Sequence, residues 1–247
     1  TWYWNRYPGA RCDVESVQYS YQFDTELEQE WTWSEKYSTQ PEILRYANHV
    51  ADRFDLRDNI QFETRVISAE YSEADKLWVL ETDRNEKVSS RYCVFATGCL
   101  SSSNVPKFEG YETFKGLSYH TGRWPHEGVN FSGLRVGVIG TGSSAIQSIP
   151  EIAKEANQLT VFQRTANYTI PARNSELTED YVSSIKADYP GLRERARNKP
   201  AGYDIPLNSQ SVLEVSREDA NIEFQRRWEL GGTQFPVSYT HLRAHET

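Results

Sequence analysis

The run Arg135-Val136-Gly137-Val138-Ile139-Gly140-Thr141-Gly142-Ser143-Ser144-Ala145 constrains the fold of this chain more than any other stretch. Val136 to Ile139 is a short apolar run of the kind used by a buried parallel strand. Gly140 and Gly142 follow, and Ser143 to Ala156 has helical character. Strand, glycine turn and helix open a βαβ unit. A glycine turn lets the backbone approach a pyrophosphate, and the helix start offers it free N–H groups and a positive dipole end. The spacing is G-x-G-x-x-A, with Ala145 where helix and strand must pack closely. Candidate dinucleotide contacts are Gly140, Thr141, Gly142, Ser143, Ser144, Ala145, Ile146 and Gln147. A glycine-rich turn that holds no ligand is the competing reading. The next apolar run, Leu159 to Phe162, ends at Gln163-Arg164-Thr165, roughly 20 residues past the glycines, where NAD-binding proteins carry an acid for the ribose 2′-hydroxyl. An arginine and a hydroxyl suit the 2′-phosphate of NADPH instead. Arg164 and Thr165 join the candidates; an exposed strand-end arginine is the bland alternative.

Composition excludes other classes. A net charge of −8 argues against a general nucleic-acid or anionic-membrane binder. Cys12, Cys93 and Cys99 form neither a zinc spacing nor a disulfide framework, so a reducing, cytoplasmic setting is expected. No apolar stretch approaches the ~20 residues of a membrane span. The chain begins at Thr1 and contains no methionine, so a piece of a longer protein is expected.

Ahead of the glycine turn, Asp24 to Lys36 has no clean period. Ser38-Thr39-Gln40-Pro41-Glu42 reads as a helix start, and Ile43, Leu44, Ala47, Val50, Ala51 and Phe54 continue at helical spacing. Three strands are predicted, Ile60 to Ala69, Leu77 to Thr82 and Val88 to Ala96, a small β-meander. Ser101 to Pro106 reads as a linker. Beyond Arg164, Glu176 to Arg195 looks helical but broken at Pro190-Gly191, and Val212 to Trp228 is a second helical candidate. His241 and His245 stand four apart, a poor metal pair with no third ligand evident.

The segment between linker and glycine turn carries F-x-G-x-x-x-H-x-x-x-W-P, here Phe114, Gly116, His120, Trp124 and Pro125. It resembles the fingerprint of type I Baeyer–Villiger monooxygenases. The opening Thr1-Trp2-Tyr3-Trp4-Asn5-Arg6-Tyr7-Pro8-Gly9-Ala10-Arg11-Cys12-Asp13 is similar to the segment that follows the first FAD glycine turn in that family. Phe95-Ala96-Thr97-Gly98 resembles its A-T-G motif. The resemblance runs to about Gly231-Gly232.

The resemblance implies an α/β flavoprotein with two dinucleotide-binding domains. Residues 1–104 would be part of the FAD domain, with its first glycine turn missing and the meander inserted. Residues 105–232 would be a Rossmann-like NADP domain with a helical insertion; 233–247, where the resemblance fails, read as an atypical, foreign tail. It implies FAD contacts at Thr1, Trp2 and Tyr19. Arg11, Cys12 and Asp13 would lie between flavin and nicotinamide, and Asp13 and His120 are the catalytic candidates. In the family NADPH reduces FAD, reduced flavin activates O₂, and a ketone becomes an ester or lactone. The arginine that stabilises the oxygenated flavin has no counterpart here, so the chain alone is expected to be inactive. A flavin monooxygenase acting on nitrogen or sulfur and a non-catalytic NADP-binding module are the alternatives.

Overall fold

The computed structural model describes residues 1–98, 100, 102–208, 210–235 and 238. The fold is mixed α/β. In chain order the elements are α1 (Thr25–Glu30), α2 (Gln40–Arg53), β1 (Val66–Ser72), β2 (Leu77–Thr82), β3 (Lys87–Ser90), β4 (Arg135–Ile139), α3 (Ser143–Glu155), β5 (Gln158–Phe162), α4 (Glu179–Ala187), α5 (Tyr189–Arg197) and α6 (Arg217–Leu230). Two compact units divide the chain. Thr1 and Ala47–Ser118 form the smaller one; Trp2–Tyr46 and the chain from Tyr119 onward form the larger.

The smaller unit is built on the expected antiparallel meander, β1-β2-β3 in sheet order. Only β2 keeps its expected bounds. β1 begins at Val66 rather than Ile60, because Asp55 turns left-handed (φ 48°) and Leu56–Asn59 winds into a 3₁₀ turn. Glu63, also at positive φ, bends the chain again before the strand. β3 stops at Ser90 rather than Ala96. Ser90 pairs with Trp78, next to the first residue of β2, so the chain beyond it has no strand left to pair with. Tyr92 and Val94 are correspondingly 80% and 87% exposed.

In the larger unit, β4 and β5 pair in parallel, with Val136 opposite Leu159 and Val138 opposite Val161. Alternate residues of β4 face inward. Val136 and Val138 pack with Leu159, Tyr7, Val129 and Ala156 around buried Trp124, Phe131 and Ile152. The tryptophan of the fingerprint is therefore a core residue beneath the glycine-turn unit.

The aperiodic stretch Asp24 to Lys36 contains α1, which hydropathy does not reveal. Asp24 Oδ1 accepts the Leu27 N–H at 2.7 Å, and Glu26 and Glu28 sit in the first turn, where the helix dipole favours acids. Leu27 is fully buried. Glu28 forms a buried ion pair with Arg193 of α5 at 2.7 Å, both side chains 5% exposed, and Arg193 also donates to Ser20 Oγ at 2.8 Å. This pair joins residues 165 positions apart.

The later helices differ from expectation at their ends. The break within 176–195 falls at Asp188, which closes α4 and precedes α5. Pro190 lies in the first turn of α5, where its missing N–H costs nothing. α6 begins at Arg217 rather than Val212 because Ser216 caps it, accepting the Asp219 N–H at 3.1 Å. α6 ends on Gly231 and Gly232, both at positive φ. The Gly232 N–H donates to Pro171 O at 2.8 Å. Of the expected tail, only residues 233–235 and 238 are described; His241 and His245 lie outside the described residues. Among the described residues no cluster of His, Cys, Asp or Glu could hold a metal, and no helix is long and apolar enough to cross a membrane.

Candidate dinucleotide-binding site

The glycine turn leaves β4 with Gly140 at φ +104°, a conformation that L side chains rarely adopt. The Gly140 N–H donates to Phe162 O at 2.8 Å, fastening the turn to the end of β5. Gly142 precedes α3 in an extended conformation, and its carbonyl accepts the Ile146 N–H at 3.0 Å to close the first helical bond. Nothing lies within 4 Å of where a Cβ would stand at Gly140 or Gly142. The N–H groups of Ser143, Ser144 and Ala145, with no intrahelical acceptor, belong to this first turn. Ser144 and Ala145 are half-buried. Helix N–H groups, a positive dipole end and open space at the glycines make a site for an anion.

Gln147 stands one turn further along α3. Its Oε1 accepts from Tyr7 Oη at 3.0 Å and from the Arg11 N–H at 3.3 Å. Its Nε2 donates to Arg11 O at 3.2 Å and to Asp13 Oδ1 at 2.7 Å. A carboxamide has two donors and two acceptor positions, and all four are used. The opening segment is thereby tied to the glycine-turn helix. Gly9 (φ +74°) allows the approach: a Cβ there would overlap the Gln147 carbonyl. The motif names Gln147 as a nucleotide contact; its side chain holds the loop that carries Arg11, Cys12 and Asp13. Pro8-Gly9 is a turn pair in the sequence, but nothing in the sequence names its partner on α3.

Within that loop, Arg11 pairs with Glu35 at 3.5 Å, and Asn174 Nδ2 donates to the same carboxylate. Cys12 is buried. Burial pushes its thiol up to about 11, against the Val14 N–H donated to Sγ and with the neighbouring Asp13 charge adding to the rise. The thiol is therefore no thiolate nucleophile at neutral pH. Trp2 Nε1 donates to Tyr19 Oη at 3.2 Å, the rings meeting edge to face. The Tyr19 hydroxyl keeps its own proton to donate. Thr1 belongs to the smaller unit.

Arg164 and Thr165 follow β5 and are exposed. Residues on either side of them reach back to the turn. Gln163 Nε2 donates to Thr141 Oγ1 at 3.0 Å. Asn167 Nδ2 donates to Thr141 O at 2.9 Å and to Oγ1 at 3.3 Å. His120 is half-buried, and its Nδ1 accepts the Gly122 N–H at 3.1 Å, capping the 3₁₀ turn Thr121–Arg123. Among the described residues no hydrogen bond joins His120 to Asp13 or to the glycine turn. The structure thus brings together Arg11, Asp13 and the α3 start, and separately Thr141 and the end of β5.

Comparison with known proteins places this geometry. A family model described as pyridine nucleotide-disulphide oxidoreductase matches residues 17–239. A Baeyer–Villiger monooxygenase from Pseudooceanicola batsensis is 44% identical over 232 residues, 94% of this chain and 42% of the relative. A phenazine N-monooxygenase from Lysobacter antibioticus is 40% identical over 231 residues, again 94% of this chain and 42% of the relative. Among solved structures, an oxidised steroid monooxygenase bound to NADP is 55% identical, with a TM-score of 0.92, covering 97% of this chain and 46% of that one. The chain spans less than half the length of the relatives it matches. The chain belongs to the pyridine nucleotide-disulphide oxidoreductase family, and its likeness within that family is to the Baeyer–Villiger monooxygenases.

Proposed function

We propose that this chain is the nucleotide-handling portion of an FAD- and NADPH-dependent Baeyer–Villiger monooxygenase. The whole protein would insert one atom of O₂ beside a ketone carbonyl to give an ester or lactone, in the cytoplasm. Residues 1–104 would contribute to the FAD domain and 105–232 to the NADP domain. The observation that carries the reading is the Gln147 clamp, which sets Arg11 and Asp13 against the first turns of the glycine-turn helix. The Asp13 carboxylate and the Arg11 backbone of the opening loop then stand beside the site that would take a dinucleotide.

The residues present fit NADPH. The turn has open space at Gly140 and Gly142, helix N–H groups face it, and exposed Arg164 and Thr165 follow the adjoining strand. Thr141, Gly142, Ser143, Ser144 and Ala145 would hold the pyrophosphate, and Arg164 with Thr165 the 2′-phosphate. Trp2 and Tyr19 offer an aromatic edge and a hydroxyl donor for the flavin, with Thr1 as a further contact. When bound, the cofactors supply hydride transfer and oxygen activation. Asp13, its Oδ1 fixed by Gln147, orients the groups between them, and Cys12 stays a neutral, buried neighbour. His120, the second catalytic candidate, would lie in the NADP domain, its ring held by the Gly122 N–H.

Titration of the chain with NADPH and NADH tests the nucleotide reading. NADPH should bind more tightly, and Arg164→Ala should lower that preference about tenfold or more, the loss of a charge-assisted phosphate contact. Equal binding of the two nucleotides, or an unchanged preference, would refute the role of Arg164. The likeness to the phenazine N-monooxygenase favours a second reading, oxygenation of a ring nitrogen. Incubating the full-length protein with a cyclic ketone and with a phenazine separates the two: lactone supports the first, N-oxide the second.

A further inference from the structure

Arg164 and Thr165 are bracketed. Gln163 on one side and Asn167 on the other both donate to Thr141, in the centre of the glycine turn. The Gly140 N–H adds a backbone bond to Phe162 O, just before the bracket. The segment after β5 is therefore fastened to the glycine turn on both flanks of the arginine. On the nucleotide reading the start of α3 and the Arg164-Thr165 step would each take a phosphate, and the bracket fastens the one to the other.

We infer that the Gln163–Thr141–Asn167 latch is a specificity device. It fixes the separation of two phosphate subsites to that of one ligand class, a dinucleotide carrying both a pyrophosphate and a 2′-phosphate. The inference rests on the nucleotide reading of the glycine turn. A ligand that engages both subsites gains from having them held in place, because it need not order the loop on binding. A ligand with the pyrophosphate alone engages the turn only and gains nothing from the latch. Thr141 is suited to the task. Its Oγ1 accepts from both amides, which leaves the hydroxyl proton free to be donated to an anion. Gln163 and Asn167 thus act through Thr141 and through the loop, as positioning residues.

The test compares NADPH and NADH dissociation constants for the 247-residue chain and for Gln163→Ala, Asn167→Ala and the double variant, with melting temperature as the fold control. The double variant should lose about three- to tenfold in NADPH affinity, the ordering cost of one or two side chains, while NADH affinity stays within about twofold. The single variants should fall between. The bulk-preserving variant Gln163→Met with Asn167→Leu, which removes both amide donors and leaves the Thr141 hydroxyl in place, should give the same loss of ratio. It decides the matter should the double variant not fold. An unchanged NADPH preference in folded variants would overturn the latch and leave the nucleotide site standing. An equal fall for both nucleotides would overturn it too, since the bonds would then merely hold the turn. Failure of the unaltered chain to bind either nucleotide would remove the reading of the glycine turn itself, and the latch with it.

Discussion

The two β-structures of this chain are held by different kinds of contact. The meander β1-β2-β3 is closed by its own turns: each strand pairs with its sequence neighbour, and its residues are mostly exposed or half-buried. The parallel pair β4–β5 has no such self-sufficiency. It needs α3 to cross between its strands and needs Trp124, Phe131 and Tyr7 beneath it. It needs the opening segment as well, brought to α3 from more than a hundred residues away by Gln147 and Gly9. Local pairing makes a region tolerant of single changes. Long-range closure makes a region depend on a few side chains, and those sit where the candidate site is.

The sharpest way to break the comparison is at the buried ion pair. Glu28→Ala leaves Arg193 charged and unpaired in the interior and should destabilise the larger unit by about 3–5 kcal/mol. Hydrogen exchange should report faster amides in α1 and α5 with protection in β1–β3 unchanged; loss of protection throughout would mean the units are not independent. Gly9→Ala forces a Cβ into the Gln147 carbonyl at an unfavourable φ and should cost about 1–3 kcal/mol. The Arg11 amide should exchange faster as its bond to Gln147 is lost, and an unchanged rate would count against the clamp.

Acid offers a third probe. Glu223 is held down to about 2 by hydrogen bonds from Arg226 and Arg227, the Arg227 guanidinium being buried. A lowered carboxyl contributes stability that is fully present above its ordinary value of 4.5 and is lost as pH falls toward 2. The stability of α6 should therefore fall as pH drops across that window, and Glu223→Gln should flatten the dependence. A slope identical to that of the unaltered chain would remove Glu223 as its cause. The smallest effect belongs to the meander. Lys87 and Glu81 pair at 2.6 Å with both side chains well exposed. Lys87→Ala should barely move the melting temperature, and added salt should erase the difference. A larger loss there would show that the meander is no more tolerant than the glycine-turn unit.

Much of this was legible from the residues. The strand–turn–helix at Gly140, the arginine after β5, the meander and its central strand all follow from short-range pattern. So does the family likeness, carried by motifs at fixed spacing. What failed were the ends: β3 stops as β2 runs out, and α1, α5 and α6 start where a side chain or proline suits the first turn rather than where hydropathy begins. Capping and register depend on a partner's position, which a linear pattern does not contain.

The sequence by itself determined which chemistry can be present: glycines where the backbone must come close, an arginine in place of an acid, a thiol beside a carboxylate. Only the tertiary structure decided which of those groups act together. It bound Gln147 to Tyr7, Arg11 and Asp13, made Trp124 a core residue and turned the His120 ring to a local N–H. It also fastened Thr141 on both sides of Arg164. The reason is physical. Local propensity is set by neighbours a few residues away, whereas a saturated amide or a buried ion pair exists only when the fold brings its partners within about 3 Å.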